Sequence, residues 1–253
     1  CTFTFVTKLV LNFNDIAVLP DAIMALTNLK HLNLDGNKIA TLPASIGRLA
    51  ALEKLFLPNN SLTAVPASIG CLTALTTLNL DNNQLAGLPD AIGQLTGLKE
   101  LDLSHNNLTA VPASIGSLTA LETLNFHSNI ITAVHASIGS LTALTTLSLS
   151  GNCIATLPNT IGGMTALTTL HLHNNKLSAL PDAIGQLTGL AVLTLYNNNM
   201  AALPDAIGAL TNLTELDLDS TAPHTLLIGS RQSAAVQAWL KKLEESPTCT
   251  VNS

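Results

Sequence analysis

The chain repeats itself every 23 residues, and this period runs from Val6 to Asn212 without an insertion or a deletion. Nine full repeats begin at Val6, Leu29, Leu52, Leu75, Leu98, Leu121, Leu144, Leu167 and Leu190, and a partial tenth begins at Leu213. Such a period is typical of a solenoid, in which each coil contacts only its neighbours and the stacked coils share one core. The sequence therefore predicts a single elongated domain, although 253 residues could also form one or two compact domains.

Each repeat carries apolar residues at unit positions 1, 4, 6, 11, 14, 18 and 21, counted from its first residue. In the fourth repeat, the spacing of two between Leu78 and Leu80 predicts a short strand whose leucines face the core while Asn79 faces outward. Pro89 excludes a strand or a long helix in the second half of that repeat and leaves room for one 3₁₀-like turn. Only the outward face of the strands can therefore meet a partner.

The unit reads L-x-x-L-x-L-x-x-N-x-L-x-x-L-P-x-x-I-G-x-L-T-x and resembles the leucine-rich repeat over most of the chain. The segments LPDAIGQLTGL and VPASIGSLTAL are similar to the intracellular Ras-group repeats, including those of plants. This resemblance implies an α/β solenoid, namely a right-handed superhelix with a concave parallel β-sheet, convex 3₁₀ or extended segments and a C-terminal capping helix. It also implies a cytoplasmic adaptor that holds a GTPase, a phosphatase or a kinase on its inner face.

The ends of the chain depart from the repeat, as the ends of a solenoid core require. We divide the single domain 1–253 into a truncated N-terminal strand (1–5), nine repeats (6–212), a partial tenth repeat (213–229) and a C-terminal capping helix (230–246). Within the last segment, Val236, Trp239, Leu240 and Leu243 recur at helical spacing. We expect this helix to cover the last coil; a partner-binding or membrane helix is the alternative.

Unit position 9 is an asparagine in every full repeat: Asn14, Asn37, Asn60, Asn83, Asn106, Asn129, Asn152, Asn175 and Asn198. An amide side chain has two donors and an acceptor, so we expect it to pair backbone groups of neighbouring coils inside the turn. Asn106→Ala is therefore predicted to lower the free energy of unfolding by about 1–3 kcal/mol. Unit position 19 is a glycine in eight repeats, which indicates either a left-handed residue or a close backbone approach.

Charged residues make up only 10% of the chain, and the net charge is −6. Residues 100–219 contain one basic side chain, Lys176, against eight acidic ones. Because no basic patch exists to neutralise phosphates, we expect neither nucleic acid nor anionic lipid as a partner. A cationic partner is favoured toward the C-terminal end. No run of eighteen apolar residues occurs, so we expect no membrane insertion.

Motifs for catalysis are missing: the sequence contains no G-x-S-x-G, H-E-x-x-H, C-x-x-C or phosphate-binding glycine loop. We expect no enzyme activity, no cofactor and no metal.

Cys71 and Cys153 lie four repeats apart, or about 19 Å at about 4.8 Å per coil, which is too far for a disulfide. Free thiols favour a reducing, cytoplasmic location. Because the chain begins at Cys1, we expect it to be part of a longer protein, and an extracellular location stays open.

Unit positions 3, 5, 7 and 8 form columns along the outward strand face, and adjacent members of a column lie about 4.8 Å apart. The candidate partner-binding residues are Lys54, Phe56, Asp102, His105, Asn125, His127, His171, His173, Tyr196 and Asp217. The histidines admit a metal-binding or pH-responsive site as one interpretation. We prefer a protein-recognition patch, because no three ligands share the spacing of a zinc site.

The function that these observations favour is a non-catalytic, monomeric module that binds a partner protein on its concave sheet as a signalling scaffold. A recognition or adhesion segment of a cell-surface receptor is one alternative, and glycan mass at Asn107 or Asn212 would support it. The targeting domain of a larger kinase, GTPase or ubiquitin ligase is the other.

Overall fold

The computed structural model describes residues 5–218, 234–244 and 250–252. Within these residues, eleven parallel strands form one sheet in sequence order. The strands are β1 (Lys8–Val10), β2 (His31–Asn33), β3 (Lys54–Phe56), β4 (Thr77–Asn79), β5 (Glu100–Asp102), β6 (Thr123–Asn125), β7 (Thr146–Ser148), β8 (Thr169–His171), β9 (Val192–Thr194), β10 (Glu215–Asp217) and β11 (Thr250–Asn252). The predicted α/β solenoid is confirmed.

The strands are in register from coil to coil, so equivalent residues form straight rows. Leu32 lies opposite Leu55, and Leu55 lies opposite Leu78. These three side chains have no solvent-exposed surface and belong to one core that runs along the solenoid. The strand predicted at residues 78–80 begins one residue earlier, although Leu80 remains buried as expected.

A left-handed residue ends the strand segment of every full repeat. Positive φ angles of 50 to 65° occur at unit position 8, at Phe13, Gly36, Asn59, Asn82, His105, Ser128, Gly151, Asn174 and Asn197. Asparagine and glycine tolerate this region best, and they fill six of the nine positions. Their enrichment was the sequence signal for this turn. No glycine at unit position 19 has a positive φ, so the left-handed alternative for that position does not apply.

Seven of the eight glycines at unit position 19, all except Gly208, instead allow two coils to approach closely, which was the other alternative. A Cβ built on Gly93 would lie 2.7 Å from the carbonyl oxygen of Ser114 in the next coil. No side chain fits at such a distance without moving backbone. This contact joins the convex segments of adjacent coils.

In the part of the chain that the structure describes, the convex side consists of nine five-residue 3₁₀ helices, in agreement with the predicted short turn. They span Asp21–Ala25, Ala44–Arg48, Ala67–Cys71, Asp90–Gln94, Ala113–Ser117, Ala136–Ser140, Asn159–Gly163, Asp182–Gln186 and Asp205–Ala209. A proline precedes eight of them. The exception is Ala136–Ser140, which follows His135, and this histidine has a proline-like φ of −67°. The Nδ1 atom of His135 accepts a hydrogen bond from the Ser137 amide at 3.1 Å, so the imidazole caps this helix.

The two ends of the solenoid differ from the repeats between them. Helix α1 (Ala234–Glu244) buries Val236, Trp239 and Leu240, and packs against the last 3₁₀ helix and β11. Strand β11, which the sequence did not predict, extends the sheet beyond β10. Residues 219–233, with most of the partial tenth repeat, lie outside the described residues. Of the strand predicted over 1–5, only Phe5 is described, and it lies in a turn.

Candidate partner-binding surface

The asparagines of unit position 9 lie beneath the outward face of the strands and join neighbouring coils. Asn106 Nδ2 lies 2.9 to 3.2 Å from the carbonyl oxygens of Leu80, Leu103 and Ser104, and its Oδ1 accepts from the Leu85 amide at 2.9 Å. Leu80 belongs to the preceding coil. Asn37, Asn60, Asn83, Asn129, Asn152, Asn175 and Asn198 repeat this pattern. Asn14 differs, because its amide nitrogen bonds only within its own coil.

Two of the candidate binding residues also close the ends of their strands. Asp102 Oδ1 accepts from the Ser104 amide at 3.0 Å, and Asn125 Oδ1 accepts from the His127 amide at 3.0 Å. Such local bonds from an Asx side chain to the backbone stabilise a turn. Asp102 and Asn125 are therefore held in fixed positions, half-buried, on the strand face.

The largest group of candidate residues forms a continuous set of rings, here named the His–Tyr cluster: His105, His127, His171, His173 and Tyr196. The ring centroids of His173 and Tyr196 are 4.4 Å apart, with an angle of 13° between the ring planes, so the two rings stack. His127 lies 6.3 Å from His173 and 5.1 Å from His105, while His171 lies 6.1 Å from His173. Residues from four coils therefore contribute to one surface.

Buried hydroxyl groups fix the imidazoles of this cluster. Thr194, only 5% exposed, places its Oγ1 2.8 Å from His173 Nδ1 and 3.2 Å from His171 Nδ1. A hydroxyl has one proton to donate. If both imidazoles are neutral, one receives that proton and the other donates its own Nδ1–H to Thr194. The two Nε2 atoms then differ, because one is a donor and the other an acceptor.

His127 is held in the same way. Its Nδ1 lies 2.8 Å from Ser150 Oγ, and its Nε2 lies 2.9 Å from Ser128 Oγ. Ser150 also lies 3.1 Å from Ser148 Oγ. The serines and Thr194 were not among the candidate site residues. Their position in the same columns as the histidines was the signal that could have identified them.

Burial keeps part of the cluster uncharged. Desolvation, followed by the nearby His171 and His127, lowers the pKa of His173 to about 4. Desolvation also lowers the pKa of His171, and His127 adds to this effect while Glu215 opposes it. His171 and His173 therefore carry no charge at neutral pH.

The titration of His173 predicts a loss of stability in acid. Between its ordinary pKa of 6.5 and its folded pKa of about 4, the unfolded chain binds the proton and the folded chain does not. The free energy of unfolding should therefore decrease as the pH falls through this window. His173→Gln removes this contribution, so its urea midpoint should fall less than that of the wild type between about pH 7 and pH 5. Equal decreases in the two proteins would contradict the assignment.

Three rings of the cluster, His127, His171 and His173, line a concave pocket of about 350 Å³ together with Ser150 and further residues of β6, β7 and β8. A neighbouring pocket of about 170 Å³ is lined by Phe56 and by residues of β4, β5 and β6, including Glu100 and Asp102. Thr123 and Asn125 line both pockets. The two pockets therefore form one groove along the strand face.

The remaining candidates lie at the two ends of this groove. Lys54 is exposed on β3, and Phe56 packs against His31 with a centroid distance of 5.3 Å. One strand, β4, separates them from the coil of His105, the nearest member of the His–Tyr cluster. Asp217, on β10, is opposite Thr194 in the sheet. The ten candidates thus form one central cluster with flanking residues, instead of a single compact site.

The described residues contain no group of three or more His, Cys, Asp or Glu side chains arranged to hold a metal ion. In the same part of the chain, no helix combines the length and the apolar character needed to cross a bilayer. Cys71 and Cys153 are free thiols, while Cys1 and Cys249 lie outside the described residues.

Solved structures with this fold share substantial sequence identity with the chain. A leucine-rich-repeat protein of Leptospira interrogans is 32% identical with a TM-score of 0.66, over 99% of this chain and 73% of that one. The plant peptide hormone receptor RGFR1 in complex with RGF2 is 30% identical with a TM-score of 0.67, over 80% of this chain. InlJ of Listeria monocytogenes is 27% identical with a TM-score of 0.64, over 91% of this chain.

The chain spans 38% of the plant receptor chain and 54% of the InlJ chain. No curated protein sequence matches it significantly. A family model described as a leucine-rich repeat region matches residues 9–105, 68–152 and 134–245. With its 23-residue coils, parallel sheet and asparagine column, the chain belongs to the leucine-rich repeat family.

Proposed function

We propose that this chain is a non-catalytic, monomeric protein-binding module that holds a partner protein on its concave sheet. The observation that supports this most directly is the His–Tyr cluster, whose rings come from four coils and in which His127, His171 and His173 line a pocket of about 350 Å³. Aromatic side chains in a central, partly desolvated pocket carry much of the energy of protein interfaces. Hydrogen bonds with Ser150 and Thr194 hold the His127 and His173 rings in place before a partner arrives, so these rings lose little conformational entropy on binding.

The binding proposal predicts that loss of the stacked pair weakens partner binding. Tyr196→Ala and His173→Ala should each lower the affinity about tenfold or more, because each removes an anchoring ring. His135→Ala is the matched control, since His135 is an exposed imidazole on the convex side. Proteins recovered by affinity purification with the wild type would then be titrated by calorimetry against the wild type and the three variants. Equal affinities for all four proteins would refute the proposal.

For the biological setting we propose a cytoplasmic signalling scaffold, supported by the free thiols of Cys71 and Cys153 and by the similarity to Ras-group repeats. A segment of a cell-surface receptor is a second candidate, favoured by the similarity to the plant peptide hormone receptor. Asn107 and Asn212 are exposed and lie in glycosylation sequons. Intact mass spectrometry of the natural protein separates these candidates, because glycan mass at either residue requires passage through the secretory pathway.

The targeting domain of a larger kinase, GTPase or ubiquitin ligase is compatible with the same concave site. In that arrangement the partner bound here is the substrate or the regulator of the attached domain. The sequence of the full-length protein distinguishes this arrangement from an isolated scaffold.

A further inference from the structure

Charge is distributed unevenly along the strand face. Among the outward residues of β4 to β10, Glu100, Asp102, Glu215 and Asp217 are acidic, and none is Lys or Arg. The first three strands are different, since Lys8 on β1 and Lys54 on β3 are basic. The strand face therefore has a basic N-terminal part and a longer part whose formal charges are all negative.

The acidic residues lie at the two ends of the longer part, and the centre is neutral. Glu100 and Asp102 line the smaller pocket on β5, while Glu215 lies on β10. Between them, β6 to β9 present Thr, Asn, Ser, His and Val side chains. Because His171 and His173 are uncharged at neutral pH, this centre does not repel a cation.

The separation of the acidic ends defines the length of a complementary ligand. Five strand spacings of about 4.8 Å separate β5 from β10, which gives about 24 Å along the sheet. An extended chain advances about 3.3 Å per residue, so about seven residues cover this distance. The larger pocket lies between these ends, on β6 to β8.

We propose that β5 to β10 bind an extended polypeptide segment that carries a lysine or an arginine near each end and uncharged side chains between them. This inference rests on the proposed binding function of the same face. One cation pairs with Glu100 and Asp102, the other pairs with Glu215, and an uncharged side chain enters the pocket of the His–Tyr cluster. Lys8 and Lys54 repel the cations and so exclude the segment from the first three coils. Complementary charges of this kind determine register and partner choice.

The test is selection from a random dodecapeptide library displayed on phage. It compares the wild type with two triple variants. The first triple variant combines Glu100→Gln, Asp102→Asn and Glu215→Gln. The control triple variant combines Asp21→Asn, Asp90→Asn and Asp182→Asn. The control removes the same charge from the convex 3₁₀ helices. Asparagine at position 102 preserves the turn, because Asn79 and Asn125 make the same bond in adjacent coils. Circular dichroism checks that all variants are folded.

Peptides selected on the wild type and on the control should be enriched in pairs of basic residues six to eight positions apart. Synthetic copies should bind the first triple variant at least about tenfold more weakly. Peptides that require Tyr196 and His173 but lack this basic pair would overturn the proposed ligand and leave the binding function intact. If no selected peptide is sensitive to Tyr196→Ala or His173→Ala, the binding function fails as well.

Discussion

Asn106→Ala should reduce the free energy of unfolding by about 3 kcal/mol, at the upper end of the range for buried groups that lose their partners. The substitution leaves the carbonyl oxygens of Leu80 and Leu103 and the amide of Leu85 without their side-chain partner. Asn106 itself is only 6% exposed, so water does not easily replace the lost bonds. Urea denaturation followed by circular dichroism measures the change.

Asn14→Ala is the matched control within the same column. Asn14 is exposed, and its amide bonds only to carbonyl oxygens of its own coil, at Leu11 and Asn12. Its loss should therefore cost less than about 1 kcal/mol. If both variants lost the same stability, or if Asn106→Ala lost none, the asparagines would not be what connects the coils.

Gly93→Ala should destabilise the protein by about 2 kcal/mol, because overpacking forces backbone to move. The added Cβ would lie 2.7 Å from the carbonyl oxygen of Ser114 and 3.1 Å from its Cβ. The carbonyl oxygen belongs to the backbone of the next coil and cannot rotate away. The urea midpoint of the variant should fall accordingly.

Gly87→Ala, in the same repeat, separates this contact from the general effect of adding a methyl group. No atom lies within 4 Å of a Cβ built on Gly87, and its φ is not positive. Alanine should leave the stability unchanged or raise it by up to about 1 kcal/mol, since it restricts the unfolded chain. A Gly93→Ala protein as stable as Gly87→Ala would show that the coils do not meet at Gly93.

The sequence predicted the fold because the repeat reports the core directly. Leu32, Leu55 and Leu78 occupy the same unit position, so their burial in one row followed from the period. The predicted helix followed from the apolar spacing around Trp239. Strand β11 was missed because three residues, Thr250–Asn252, carry no periodic signal. The role of the glycines at unit position 19 stayed open between a left-handed residue and a close backbone approach, because a sequence does not distinguish a positive φ from a close contact.

The binding surface was only partly predictable. The columns placed His171, His173 and Tyr196 on one face, but the stacking of His173 on Tyr196 and the pocket beside His171 and His173 depend on rotamers that a sequence does not specify. Thr194 was overlooked since a buried threonine and a solvated one look alike in a sequence. Lys54 and Phe56 were grouped with the histidines on the basis of size, although they lie on β3 and four strands separate them from His171 and His173 on the β8 coil.

Hydroxyl-radical footprinting with a selected peptide tests the central claim most directly, because it reports the solvent exposure of individual side chains. His127, His171, His173 and Tyr196 on the concave face can be compared with His135 on the convex face in a single experiment. Binding should reduce the oxidation of Tyr196 and His173 and leave that of His135 unchanged. Protection of His135 without protection of Tyr196 and His173 would show that partners bind elsewhere on the solenoid.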